Sequence, residues 1–106
     1  MEVLREGHRY LVKNFDKDMK MPTVQIIQFI EKVPVSEGST ELKTLYNGTT
    51  NEELIEVLKD RLTYLNNKFP CEENEKAYAH LDDALAWLNK RTENRKNRGV
   101  EGKAEK

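Results

Sequence analysis

Residues 50–98 read TNEELIEVLKDRLTYLNNKFPCEENEKAYAHLDDALAWLNKRTENRKNR and determine the architecture of the chain. Thr50 followed by Glu53 forms a capping box, in which the threonine hydroxyl accepts a hydrogen bond from the backbone while the glutamate reaches back, so a helix begins here. Apolar residues then recur at helical spacing up to Leu65. Asn66-Asn67-Lys68-Phe69-Pro70 follows, and its proline terminates this first helix.

A second helix follows Pro70. Glu72 and Glu73 follow soon after the proline and suit the positive end of a helix dipole, and no proline or glycine interrupts the segment up to Arg98. Gly99 then ends the helix. Because only a few residues join the two helices, we expect an antiparallel hairpin. Residues 99–106 have little to bury, and we expect them to form a mobile tail.

The first half of the chain predicts β-structure. Runs rich in β-branched and aromatic residues predict three strands, at residues 10–15, 23–33 and 42–46. The first run has only six residues, so a helical turn remains the alternative there. Pro22 and Pro34 bound the second of these runs, and the polar residues 16–22 before it predict a hairpin turn. Asn47-Gly48 is a turn signal that follows the third strand.

With 106 residues the chain is long enough for one compact domain. We predict a single α+β domain: a small N-terminal antiparallel β-sheet in residues 1–49, an antiparallel helical hairpin in residues 50–98 and a tail in residues 99–106. Hydrophobic residues make up 37% and charged residues 35%, which leaves little apolar surface to spare and favours a homo-oligomer.

The cysteine content and the hydropathy indicate where the protein works. Cys71 is the single cysteine and cannot form an intramolecular disulfide, which fits a reducing cytosol. No segment approaches the roughly 20 apolar residues that a membrane span requires. We therefore expect a soluble, intracellular protein.

The second helix carries a stripe whose chemistry changes along its length. Alternating spacings of four and three residues place seven side chains on this stripe: Ala77, Leu81, Ala84, Leu88, Arg91, Arg95 and Arg98. The apolar half should face the core, whereas each arginine of the other half can donate paired hydrogen bonds to a phosphate. Residues 89–106 hold seven Lys or Arg against three acids, a local excess of cations within an overall net charge of −1.

Two other interpretations of these arginines remain open. Cations in the last turn of a helix favour the negative end of its dipole and are usually just solvated. A basic helix end is also found in small nucleic-acid-binding modules, although a net charge of −1 argues against general binding of polyanions.

Arginines neutralise charge without recognising a base, so a nucleotide site also needs an aromatic or an amide side chain. Tyr64 and Phe69 flank the interhelical turn, and Asn74 opens the second helix. Structural roles remain open for all three, and turn packing is the commoner one for Phe69. Since one helix end supplies too few contacts for tight binding, we predict a site shared between two chains.

The remaining residues give no catalytic or metal-binding pattern. His8 and His80 are too few for a metal site, and Cys71 with either histidine forms no known nucleophile motif. The chain has neither a phosphate-binding glycine loop nor a serine nucleophile elbow. We predict no enzyme activity, no metal and no cofactor, and we place Trp87 in the core or at a subunit interface.

Several short motifs occur together along the chain. They are QFIEK at 28–32, NGTTNEE at 47–53, DRL at 60–62, FP at 69–70, ENE at 73–75, ALAWL at 84–88, RT at 91–92, Arg95, and RGVEG at 98–102. In this combination the chain resembles the first-described type of Thoeris anti-defence protein, a phage family. The resemblance spans most of the chain, and its arginine-rich ending is the most specific part.

The resemblance implies a molecular sponge. Such proteins bind a glycocyclic ADP-ribose signal made by TIR-domain enzymes in the host bacterial cytoplasm, and they block Thoeris immunity by withholding the signal without cleaving it. Some relatives also bind cyclic di- or trinucleotides at a separate site in a higher oligomer. The implied partners are a cyclic ADP-ribose isomer and further copies of the chain, in a dimer or an assembly up to a hexamer, with no membrane and no nucleic-acid polymer.

The resemblance also implies roles for individual residues. Arg91 and Arg95 would hold the phosphates, Asn74 would hydrogen-bond the ligand, and Tyr64, where the family usually has Phe, would stack on the base. The predicted ligand-binding residues are therefore Arg91, Arg95, Asn74, Tyr64, Arg98 and Phe69. The rival functions are a nucleic-acid-binding module and an enzyme that degrades the signal.

Overall fold

The structure is a computed structural model that describes residues 1–16, 18–19 and 24–106. These residues form two compact units, Met1–Thr50 and Asn51–Lys106. The first contains five strands: β1 (Glu2–Arg5), β2 (Arg9–Val12), β3 (Gln25–Gln28), β4 (Glu31–Pro34) and β5 (Leu42–Tyr46). The second contains two helices, α1 (Asn51–Lys68) and α2 (Glu72–Asn97). The predicted α+β fold class, with strands first and helices after, is confirmed.

The strands form two antiparallel sheets. One has the order β1-β2-β3, and the other pairs β4 with β5. The β2–β3 hairpin was predicted, and its register runs from Arg9 opposite Gln28 to Val12 opposite Gln25. The turn predicted at residues 16–22 lies partly outside the described residues. The strand predicted at 42–46 is confirmed as β5, whereas β1 was not predicted.

The strand predicted at residues 23–33 is wrong, because the apolar run forms two strands in different sheets. Thr23 lies outside the described residues. The break falls at Phe29 and Ile30, where the hydrogen-bond partners change: the Phe29 N–H donates to the His8 carbonyl (2.7 Å) and the Ile30 N–H to the Thr49 carbonyl (2.9 Å). No glycine or proline marks this change of partner in the sequence.

Asn47-Gly48 also differs from its prediction, since the chain runs beside the end of β3 instead of turning. The Thr49 N–H donates to the Gln28 carbonyl at 2.9 Å. A Cβ on Gly48 would lie 2.6 Å from the Phe29 carbonyl carbon, a separation that real Cβ atoms do not show. The glycine is therefore required by close backbone approach and not by a turn.

A partly buried ion pair joins the two sheets. Glu31 of β4 is 5% exposed and accepts two hydrogen bonds from the guanidinium of Arg5 on β1, each 2.6 Å long. These bonds lower the pKa of the Glu31 carboxyl from its ordinary value of 4.5, while burial acts in the opposite direction. The Arg5 guanidinium also lies 5.8 Å from the centre of the Tyr46 ring on β5. An arginine of the three-stranded sheet thus contacts both strands of the two-stranded sheet.

The two helices pack as an antiparallel hairpin. Lys59 of α1 forms a 2.8 Å ion pair with Asp82 of α2, and this hydrogen bond raises the pKa of the lysine. Leu85 is buried at the centre of α2, whereas Ala77 and Ala84, which we expected to face the core, are exposed. The packing face of α2 is therefore rotated from the predicted stripe toward larger side chains, which bury more apolar area.

The interhelical turn is fixed by side chains at the start of α2. Cys71 is the N-cap residue, and its Sγ accepts a 3.4 Å hydrogen bond from the Asn74 N–H. The Cys71 N–H in turn donates to Asn66 Oδ1 at 3.0 Å. Of the helices in the described ranges, neither is long and apolar enough to cross a membrane.

Candidate functional site

The two helices of the hairpin differ in length. Helix α2 has 26 residues and α1 has 18. At 1.5 Å per residue they span about 39 and about 27 Å, so the end of α2 extends about 12 Å beyond the start of α1. The last turns of α2 carry Arg91 and Arg95, and Arg98 follows as the C-cap residue.

A cleft of about 450 Å³ lies along this end of α2. Its volume falls within the range of small-molecule sites, roughly 300–1,000 Å³. One aromatic, one amide and five cationic side chains line it: Trp87, Asn94, Lys90, Arg91, Arg95, Arg98 and Lys106. The structure thus brings together the three arginines that the helical spacing grouped. Their charges favour an anionic ligand.

The guanidinium of Arg95 already has partners within the chain. Its Nη2 donates to the carbonyls of Val100 and Lys103, both at 2.9 Å, and its Nε lies 3.4 Å from Glu101 Oε2. Its side chain is only 12% exposed. Arg95 therefore holds the segment that follows α2, in addition to lining the cleft.

That segment, which we expected to be a tail with little to contact, folds back on the end of α2. Gly99 has a φ of 73°, and the Val100 N–H donates to the Arg95 carbonyl at 3.0 Å, as in a Schellman cap. Gly102 has a φ of 79°, and the Lys103 N–H donates to the Val100 carbonyl at 3.1 Å. The two glycines allow the chain to turn back toward the cleft, which Lys106 also lines.

Arg91 and Arg98 have different surroundings from Arg95. Both side chains are exposed, and neither guanidinium makes a hydrogen bond or an ion pair with any residue that the structure describes. Their guanidinium groups retain all of their donors for a ligand.

Trp87 belongs to the same cleft, although the sequence suggested a core or interface position. In this chain the indole is 67% exposed, so the core position is wrong. Lys90 Nζ lies 4.9 Å from the centre of the indole ring. Trp87, Arg91, Asn94 and Arg98 follow one another at spacings of four, three and four residues. The helical spacing that grouped the arginines could therefore also have grouped Trp87 and Asn94 with them.

The other three predicted site residues lie at the opposite end of the hairpin. Tyr64 is 52% exposed, with Lys68 Nζ 4.8 Å from its ring centre, and Phe69 is 80% exposed in the turn. Asn74 is half-buried in the first turn of α2. Asn74 and Arg91 are seventeen positions apart along the helix, which is about 25 Å. One hairpin therefore does not bring the aromatic and amide group together with the arginines.

Metal-binding residues do not cluster in the described structure. Within residues 1–16, 18–19 and 24–106, no group of three or more His, Cys, Asp and Glu side chains is placed to hold a metal ion.

Comparison with known proteins adds to this geometry. The Acb2/Tad1 hairpin domain matches residues 23–93, a range that includes Tyr64, Asn74 and Arg91 but ends before Arg95. The chain is also 52% identical over 61 residues to Thoeris anti-defense 1 of Bacillus phage SBSphiJ7. That match covers 57% of this chain and 43% of the relative, so the chain spans less than half of the length of the curated protein it matches.

Proposed function

The chain belongs to the Acb2/Tad1 hairpin domain family, and we propose that it is a phage anti-defence protein that sequesters a glycocyclic ADP-ribose signal without cleaving it. By removing this signal in the host bacterial cytoplasm, the protein blocks Thoeris immunity. The observation that carries the proposal is the cleft at the end of α2, where three arginines and two lysines converge.

The charge and hydrogen-bonding capacity of the cleft suit the diphosphate of an ADP-ribose. Arg91 and Arg98 offer planar forks of donors that match phosphate oxygens, and Lys90 and Lys106 add compact charges. A hydrogen bond to a charged group contributes about 1.5–3 kcal/mol. Two such arginines therefore supply a substantial part of the roughly 12 kcal/mol that nanomolar binding needs, but not all of it.

The composition of the cleft supports binding without cleavage. Among the described residues that line it, none is a carboxylate, an imidazole or a thiol, the groups that most often act as general bases or nucleophiles. A sponge needs no such group, because it acts by mass action. It requires that copies of the protein outnumber signal molecules and that release is slow.

We further propose that the complete site is shared between two copies of the chain. The arginines and the group formed by Tyr64, Phe69 and Asn74 lie at opposite ends of one hairpin, so a second hairpin in the opposite orientation would bring the two groups together. Exposed apolar side chains on α1 support such an association, because Val57 is 56% and Leu58 is 49% exposed. Larger assemblies up to a hexamer, with a separate site for cyclic oligonucleotides, rest on the resemblance alone.

The second candidate function is binding of a nucleic-acid polymer by the same five cations. Binding to such a polymer would release its counterions, so the affinity of the protein for the polymer would fall steeply with salt concentration and rise with polymer length. A site for a small cyclic ligand would favour that ligand over any oligonucleotide.

Isothermal titration calorimetry with the purified protein tests the proposal. The ligands are glycocyclic ADP-ribose isomers, linear ADP-ribose, a cyclic dinucleotide and single-stranded oligonucleotides of increasing length. We expect at least one glycocyclic isomer to bind most tightly and to be recovered unchanged, by mass spectrometry, after the complex is denatured. A linear product would indicate an enzyme, and affinity that grows with oligonucleotide length would indicate the nucleic-acid module.

A further inference from the structure

The first turn of α2 is held by side chains from both helices of the hairpin. Cys71 is the N-cap residue, and its Sγ accepts a 3.4 Å hydrogen bond from the N–H of Asn74. The N–H of Cys71 donates in turn to Oδ1 of Asn66, near the end of α1, at 3.0 Å. A chain of two hydrogen bonds therefore connects Asn66 of α1 with the backbone of Asn74.

This arrangement differs from a capping box in the residue that accepts from the N-cap N–H. In a capping box, the side chain of the third helical residue reaches back to that N–H. Asn74 is the third residue of α2, which begins at Glu72, yet Asn66 supplies the acceptor in its place. The Asn74 side chain makes no hydrogen bond with any residue that the structure describes, so its amide keeps both donors and its acceptor for a ligand.

The cap at Cys71 depends on this help from α1. A thiol sulfur is a weak hydrogen-bond acceptor, and cysteine is not among the residues preferred at N-caps. The amide oxygen of Asn66 is a stronger acceptor, and Asn66 is half-buried at the end of the helix that carries Tyr64. The bond from Cys71 to Asn66 thus fixes the start of α2 against the end of α1.

We propose that Asn66 is a positioning residue for the ligand. By accepting from the Cys71 N–H, it takes over the capping role of the third helical residue and leaves the amide of Asn74 free to hydrogen-bond the bound nucleotide. Without Asn66, the Asn74 side chain is in the position from which a capping box reaches back, and its oxygen would turn toward the Cys71 N–H and away from the ligand. The inference rests on the proposed function for the contact between Asn74 and the ligand.

Calorimetry with two variants of Asn66 tests the proposal. Asn66→Ala removes the acceptor and should weaken binding of the glycocyclic ADP-ribose isomer about 2- to 12-fold, the range for one hydrogen bond. Asn66→Asp keeps an oxygen at the same position and should restore most of the affinity. Asn67→Ala is the matched control, because Asn67 is exposed and its side chain makes no hydrogen bond with any described residue. Wild-type affinity in Asn66→Ala would overturn the proposal.

A double-mutant cycle separates positioning from a purely structural role. Asn74→Ala keeps the backbone N–H that donates to Cys71 but has no amide to offer to the ligand. In this background, Asn66→Ala should cause no further loss of affinity, because it acts through the missing amide. An equal loss in both backgrounds would contradict the inference.

Nuclear magnetic resonance of the free protein separates this inference from the proposed function. The side-chain amide signals of Asn74, identified by their absence in Asn74→Ala, should shift in Asn66→Ala and stay in place in Asn67→Ala. If they shift but no glycocyclic isomer binds the wild type, Asn66 controls the amide and the sponge function fails. If an isomer binds the wild type and Asn66→Ala equally tightly, the sponge function holds and the positioning role fails.

Discussion

Arg91 and Arg95 lie one turn apart on α2, yet their guanidinium groups have different tasks in the folded chain. The donors of Arg91 are available, whereas those of Arg95 are directed at two backbone carbonyls and at Glu101. The helical spacing grouped both arginines as candidate phosphate ligands, and the resemblance implied the same role for both. Spacing could not predict the carbonyl contacts of Arg95, because these depend on two glycines with positive φ that turn the chain back after the helix.

Replacing the two arginines should therefore have different effects. Arg91→Ala should weaken binding of the glycocyclic ligand about 10- to 150-fold with an unchanged fold, because it removes charged hydrogen bonds worth about 1.5–3 kcal/mol. Arg95→Ala should weaken binding and also release residues 99–103, which calorimetry and hydrogen exchange would detect separately.

Lys96→Ala is the matched control, since it removes the same charge from the same helix end but does not line the cleft. It should bind within a few-fold of the wild type. Slow hydrogen exchange at residues 99–103 in Arg95→Ala would show that the guanidinium does not hold this segment.

The helices were predictable because their signals are local. Capping residues, apolar spacing and the Pro70 break all act within a few residues, and α1 and α2 begin close to the predicted positions. The N-terminal strands depend on partners distant in sequence. The division of one apolar run into β3 and β4 is set by hydrogen bonds that Phe29 and Ile30 donate to the carbonyls of His8 and Thr49, which no local pattern reveals.

The ion pair between β1 and β4 makes stability depend on pH. Since hydrogen bonds from Arg5 lower the folded-state pKa of Glu31 below 4.5, its stabilising contribution is present above the unfolded-state pKa. It is lost as the pH falls through the folded value. Glu31→Gln should lower the free energy of unfolding near neutral pH, and its difference from the wild type should shrink below about pH 4.5.

Chemical denaturation from about pH 7 to about pH 3 measures this difference. Glu37→Gln is the control, because Glu37 is an exposed carboxylate in the same unit and the substitution should change stability little at any pH. A Glu31→Gln difference that stays constant over this range would show that the carboxylate charge does not stabilise the sheets.

At the scale of the whole molecule, the positions of the site residues within one hairpin favour a site made by two chains. Asn74 is about 25 Å from Arg91 along α2, too far for one small ligand to contact both. The sequence predicted a shared site because one helix end supplies too little binding free energy for tight binding. The length of α2 is a second, independent reason to expect a site shared between two chains.

Mixing two inactive variants tests the shared site. Arg91→Ala and Asn74→Ala should each bind the glycocyclic ligand weakly when pure. In a mixed dimer, one of the two sites combines Asn74 of the first variant with Arg91 of the second and is intact. Co-refolded mixtures should therefore recover part of the wild-type capacity in calorimetry.

Recovery should be accompanied by dimers or larger species in sedimentation experiments. A site confined to one chain would give no recovery at any mixing ratio, provided that the two variants exchange subunits. Mass spectrometry of the intact complex would establish that exchange.

The N-cap of α2 has a practical consequence for anyone who attaches a probe to this protein. Cys71 is the single, exposed thiol and so the obvious site for a dye or a spin label. Its sulfur, however, is the atom that accepts the Asn74 N–H. Alkylation would attach a bulky substituent to that sulfur and weaken the hydrogen bond that caps the first turn of the helix. A label placed there would therefore disturb the backbone around Asn74 that it was meant to observe.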